Sequence, residues 1–117
     1  MSSSSLPATA WKVLTAPQMG QFLADGCFAG APVDMADGYI HLSSEAQLAE
    51  TVAKHFAGQT DLYLALIDLA ALGGALRWEP SRGGALFPHI YASLPLSAVL
   101  AHGPLSRTAA GELVLPQ

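Results

Sequence analysis

The sequence predicts a small α+β domain in which short strands outnumber helices and the two main helices come early. Three observations carry this. The helix-periodic segments lie before residue 57. A continuous apolar run, Leu62 to Ile67, is bracketed by Asp61 and Asp68, as in a central strand covered on both faces. Beyond it, short alternating segments are separated by Gly and Pro at close intervals.

Residues 1–9 are Ser-rich and read as a frayed end, leaving residues 10–117 as one domain, in keeping with a length of 117. Trp11 to Leu14 is the first strand, with Trp11 and Val13 on one face. Thr15 caps a short helix with Pro17 in its first turn. Met19, Phe22 and Leu23 stand at i, i+3 and i+4, which predicts one buried face, and Gly26 ends the helix. Residues 29–38 read as a loop closed by the turn signal Asp37-Gly38. Tyr39 to Leu42 is a short strand. Ser44 and Gln47 form a capping box for a second helix running to about Phe56, with Leu48, Val52 and Phe56 inward. After the central strand, Leu69 to Leu72 is one helical turn stopped by Gly73-Gly74. Leu76 to Glu79 alternates as a strand, Pro80 to Leu86 is a flexible loop, and Phe87 to Tyr91 leads into another strand. Pro95 to Ala98 is a turn or single helical turn. Val99–His102 and Glu112–Leu115 complete the strand candidates.

Charge is scarce. Asp, Glu, Lys and Arg make up 12% of the chain, about half the usual share. The net charge is −4, and the five cations are Lys12, Lys54, Arg77, Arg82 and Arg107. Nucleic-acid binding by counterion release needs clustered cations, so it is disfavoured. Hydrophobic residues make up 51%, but alanine supplies 21 of them, and no apolar run approaches the roughly 20 residues of a membrane helix. The single cysteine, Cys27, cannot form an internal disulfide and reads as a small packed residue. The opening Met-Ser-Ser-Ser-Ser lacks the pattern of a secretory signal. A soluble cytoplasmic domain is the expectation.

Three segments concentrate the chemistry. In Tyr39-Ile40-His41-Leu42-Ser43, alternation puts Tyr39 and His41 on one face, just before a helix N-terminus that favours an anionic group. In Arg77-Trp78-Glu79, the two charges share one face and Trp78 takes the other. In Phe87-Pro88-His89-Ile90-Tyr91, His89 and Tyr91 share a face; His89 can bind an anion or move a proton and Tyr91 can stack on a planar ring. Each has a plainer reading: a structural histidine, an edge-strand ion pair, and an aromatic core pair. His55 reads as a helix-end residue and His102 as a surface turn residue. No spacing typical of a metal site is present, and no P-loop, Gly-x-Gly-x-x-Gly or Ser-His-Asp order.

Taken together, Ile40-His41-x-Ser43, the helix starting at Ser44-Glu45-x-Gln47, Leu62–Asp68, Arg77-Trp78-Glu79 and Phe87-Pro88-His89-Ile90-Tyr91 resemble the bacterial family called domain of unknown function 952, over about residues 10–103. That family's fold is similar to the ADP-ribosyltransferases, including the NAD-dependent RNA 2′-phosphotransferases. The resemblance implies a small, mixed, split sheet with a cleft for NAD. It implies that His41 holds the cofactor's ribose, that Ser43 is the small hydroxyl residue following it, and that Tyr39 or Tyr91 stacks on nicotinamide. Arg77 would also face the cofactor. Glu79 would steady the positive charge developing on the ribose, with His89 as a further catalytic candidate. In those transferases the glutamate stands ahead of a late strand, whereas Glu79 comes earlier and Glu112 lies in Ala-Gly-Glu-Leu. The alternative is therefore a non-catalytic module on a degenerate transferase fold, binding a small ligand or a protein. Transfer of an RNA 2′-phosphate fits less well, because so few cations are available to hold phosphates.

Overall fold

The structure is a computed structural model that describes residues 6–81 and 84–116. Residues 1–5 of the expected frayed end, and Arg82, lie outside the described residues.

Strand β1 (Thr9–Thr15) opens the domain and runs longer than Trp11–Leu14. It pairs antiparallel with β4 (Leu62–Asp68), from Thr9 opposite Asp68 to Thr15 opposite Leu62. On its other edge β4 pairs with β8 (Val99–Pro104), with a bulge at Leu66/Ile67. Strand β4 is thus central, as its apolar run predicts, and Leu64 and Ala65 are both fully buried on opposite faces. His102 belongs to β8, opposite Ala65, rather than to a turn.

Helix α1 (Ala16–Asp25) starts at Thr15, whose hydroxyl accepts from the Gln18 N–H at 3.3 Å while the Gln18 side chain accepts from the Thr15 N–H at 2.9 Å. Met19 and Phe22 are buried, but Leu23 is 45% exposed, because α1 presents a face narrower than the i, i+3, i+4 pattern. Strand β2 (Cys27–Phe28) pairs with β7 (Leu94–Pro95). Cys27 is exposed, contrary to its reading as a packed residue, because the inward position of this two-residue strand is taken by Phe28.

Residues 29–38 are not a loop throughout: Pro32–Asp37 form a one-and-a-half-turn helix, α2. Proline at its first position and Gly38 in the left-handed region (φ 90°) after its end are the boundary signals, read too locally as turn chemistry. Strand β3 (Ile40–His41) follows, then α3 (Glu45–His55), with Leu48 and Val52 buried. The Ser44 N–H donates to Gln47 Oε1 at 3.0 Å, the half of the capping box in which glutamine accepts.

After β4, a 3₁₀ segment spans Leu69–Ala75 and breaks at Gly73. Strands β5 (Leu76–Pro80) and β6 (Leu86–Ile90) follow, then β7, a 3₁₀ turn at Leu96–Ala98, and β8. Two short strands, β9 (Ser106–Arg107) and β10 (Leu113–Val114), close the chain as a hairpin.

The second main sheet has the order β3-β6-β5. All pairings among the described strands are antiparallel, so the expected mixed sheet is corrected to an antiparallel one, although it is indeed divided. The two main sheets meet where Trp11 and Ser43 exchange N–H···O bonds of 2.7 and 2.9 Å. Strand β1 serves two cores. Ala10 and Leu14 pack with Phe22, Ile40, Ile67 and Ile90, while Trp11 and Val13 pack with Leu48, Val52 and Leu64 under α3.

Candidate functional site

In the β3-β6-β5 sheet, His41 stands opposite His89, and His89 opposite Arg77. Residues directly opposite in a sheet point to the same side. Ile40, Ile90, Leu76 and Trp78 therefore turn toward the core, and the intervening residues form one polar, aromatic face. The three short segments that alternation sorts separately are neighbours on this face.

Tyr39 holds its centre. Its ring lies 4.1 Å from that of His89, nearly parallel, 4.7 Å from His41 and 5.2 Å from Tyr91. The His41 and His89 rings are 5.5 Å apart, edge to face. The Arg77 guanidinium sits 5.2 Å over the Tyr91 ring. Burial and the charges of Asp37 and Glu79 push the Tyr39 hydroxyl above its ordinary range.

Each histidine is anchored by carboxylates, in different ways. His89 Nδ1 is 2.8 Å from Glu79 Oε1, and Tyr91 donates to the same oxygen at 2.7 Å. These two hydrogen bonds hold the Glu79 carboxyl below its usual range. The bond to Glu79 also pushes the Tyr91 hydroxyl up. His41 has a carboxylate at both ring nitrogens: Asp34 at Nδ1 (2.7 Å) and Asp37 at Nε2 (2.9 Å). Ionised carboxylates only accept, so satisfying both contacts takes an imidazole that donates from both nitrogens.

Asp34 is 1% exposed. Its oxygens accept from Lys12 Nζ (2.9 Å), the Ala31 N–H (2.7 Å), the His41 N–H (3.1 Å) and the His41 ring. Burial alone would raise its carboxyl. The His41 bond, the Lys12 charge and the Ala31 N–H outweigh this and carry it well below the usual range. Lys12 is itself 5% exposed, and burial lowers its ammonium despite the Asp34 partner. A third Lys12 contact, 3.1 Å to the His41 carbonyl, ties β1 to β3.

A cleft of about 450 Å³ lies at the seam of the two sheets. Trp11, Lys12 and Val13 line it from β1, and His41, Leu42, Ser43, Phe87 and His89 from the second sheet. The start of α2, Asp37, Thr51, His55 and Phe56 also line it. His55, read as a helix-end residue, is therefore also a cleft residue. Ser43 Oγ is 2.7 Å from the Thr51 hydroxyl.

Of the residues singled out in the sequence, His41, Ser43 and His89 line the cleft. Tyr39, Arg77, Glu79 and Tyr91 share the adjoining sheet face, with Glu79 behind His89 and outside the cleft lining. Glu112 lies between β9 and β10 and outside the cleft lining, and its N–H donates to the Thr108 hydroxyl. Lys12, Asp34 and Asp37 were missed. Lys12 carried a signal: a cation inside an apolar strand is rarely buried unless paired. Among the described residues, no three His, Cys, Asp or Glu side chains group as metal ligands would. No helix among them is long and apolar enough to cross a membrane.

A family described as protein of unknown function, DUF952, matches residues 13–102. The chain belongs to the DUF952 family. Among solved structures, this DUF952 chain is similar to protein CC0527 from Caulobacter crescentus. The crystal structure of that protein has a TM-score of 0.82 and 43% identity, with 93% of each chain covered. Its solution structure has a TM-score of 0.78 and 42% identity, covering 95% of this chain and 93% of that one. No curated protein matches.

Proposed function

We propose that the cleft of this DUF952 protein binds a nucleotide of the NAD class, on a fold of the ADP-ribosyltransferase type, and that its chemistry is ADP-ribosyl transfer. The observation that carries this reading is the pairing of His41 and His89 across β3 and β6, with Tyr39 stacked on His89, beside a cleft of about 450 Å³. That volume lies within the range of small-molecule sites. In this reading Tyr39 or Tyr91 stacks on the planar base from the adjoining sheet face, and Ser43 and Asp37, which His41 holds in place, face the ribose. Asp37 is the carboxylate on the cleft itself, a position that Glu79 does not occupy. The exposed, unpaired Cys27 fits a reducing compartment, and we place the protein in the cytoplasm.

Titration calorimetry with NAD, ADP-ribose and AMP tests binding. We expect heat with NAD, and Tyr39→Ala to weaken it by ~3–10-fold, the worth of one aromatic contact. No heat with any of the three at millimolar concentration overturns the reading.

A second reading is favoured by the position of Glu79, whose Oε1 is committed to His89 and Tyr91. The protein then binds a small ligand or a protein without turning anything over. Release of nicotinamide from NAD, abolished by substitution in the cleft, sinks that alternative.

A further inference from the structure

The His89 ring is 2% exposed, yet among the described residues only one of its nitrogens is bonded. Nδ1 faces Glu79 Oε1, which also accepts from Tyr91. A carboxylate has no proton to give, so the proton between them sits on Nδ1, and in the neutral ring Nε2 keeps its lone pair. His89 lies in the cleft lining, whereas Glu79 and Tyr91 do not. Tyr39 stacked at 4.1 Å holds the ring plane. His41 is the opposite case. Asp34 and Asp37 engage both its ring nitrogens.

We propose that His89 is the general base of the cleft, that Glu79 is a positioning residue acting through it, and that the acceptor is a neutral hydroxyl, water or an alcohol. The acceptor step rests on the NAD reading above. A guanidinium acceptor would need an uncommitted carboxylate. Glu79 lies outside the cleft lining, Asp34 is saturated, and Asp37 has one oxygen on the His41 ring. In the step, the bond between the nicotinamide nitrogen and ribose C1′ breaks and its electron pair stays on nitrogen, so nicotinamide leaves neutral. The acceptor oxygen bonds to C1′ and its proton passes to His89 Nε2. The resulting imidazolium faces Glu79 as an ion pair and returns the proton to solvent. Nothing is oxidised or reduced.

The full-length protein is assayed for nicotinamide release, with methanol and agmatine as competing acceptors. Methyl ADP-ribose without an agmatine adduct is expected, and agmatine as the main acceptor overturns the acceptor class. His89→Gln should slow release by ~10²–10⁴-fold, and added imidazole should restore turnover to His89→Gly. Native release by His89→Gln overturns the base. Glu79→Gln, at a more exposed position, should lower kcat ~10–100-fold at constant KM and change the pH profile. An unchanged profile removes Glu79 from the mechanism and serves as the test if the glycine variant does not fold. Absence of NAD heat in the native protein fails the nucleotide reading alone. Nitrogen-15 NMR then judges His89: neutral imidazole protonated at Nδ1 supports the base, and protonation at Nε2 overturns it.

Discussion

Asp34 shows how much one buried carboxylate organises. It accepts hydrogen bonds from β1, from the start of α2 and from both the backbone and the ring of His41. Replacing it leaves Lys12 buried without its partner, and breaking a buried pair from one side typically costs about 3–5 kcal/mol. We expect Asp34→Asn to lose stability on this scale in urea unfolding. The pH dependence follows from the same contacts. The folded Asp34 carboxyl lies below the unfolded value of ~3.9, so its contribution is complete well above that pH. It fades as pH falls from about 5 toward the folded value, where the native carboxylate takes up its proton. Glu79, also lowered, acts in the same direction. Stability measured from pH 7 to 2 should therefore fall less steeply in Asp34→Asn than in the native protein.

At the scale of elements, α2 is the piece that local patterns describe least well. Six residues are too few for helix periodicity to register, and isolated helices of this length do not persist in water. It is held by Asp34 at its first turn and by Gly38 beyond its end, where the backbone adopts φ 90° and the Gly38 N–H donates to the Asp34 carbonyl at 2.8 Å. A side chain there costs roughly 1–2 kcal/mol. It also disturbs the link between Asp37 and Tyr39. Gly38→Ala should lower the melting temperature and weaken ligand binding at the cleft, as thermal unfolding and calorimetry would record. An alanine variant with native stability would show that this backbone conformation is not required. Helix α1, by contrast, was legible in its boundaries, because Thr15, Pro17 and Gly26 act through neighbours in the chain. Its buried width was not, since what covers Leu23 depends on distant packing.

The whole molecule is joined through β1. Alternate residues of this strand enter two cores, and its bridge to Ser43 connects the two main sheets. A strand shared in this way couples both halves, so the domain should unfold in one step. Trp11, buried between β1 and α3, reports on the second core. Tryptophan fluorescence and far-ultraviolet circular dichroism should give coincident urea transitions. Separated transitions would show that the sheets unfold independently. The resemblance to the DUF952 family also belongs to this scale, and its match over residues 13–102 follows the order of the segments that carry it.

Strand alternation and helix boundaries are local properties, so the sequence by itself determined the α+β class, the central position of Leu62–Asp68, and the sharing of faces within each chemical segment. It could therefore separate Tyr39 and His41 from Ile40, and Glu79 from Trp78. Only the tertiary structure decided that these faces adjoin. Strand register depends on residues far apart in the chain, and it set His41 beside His89 and Glu79 behind it. Charge pairing across 22 residues between Lys12 and Asp34 leaves no periodic trace either. Contacts of that kind exist only once the core has formed, and they decide which histidine meets carboxylates at both ring nitrogens and which at one.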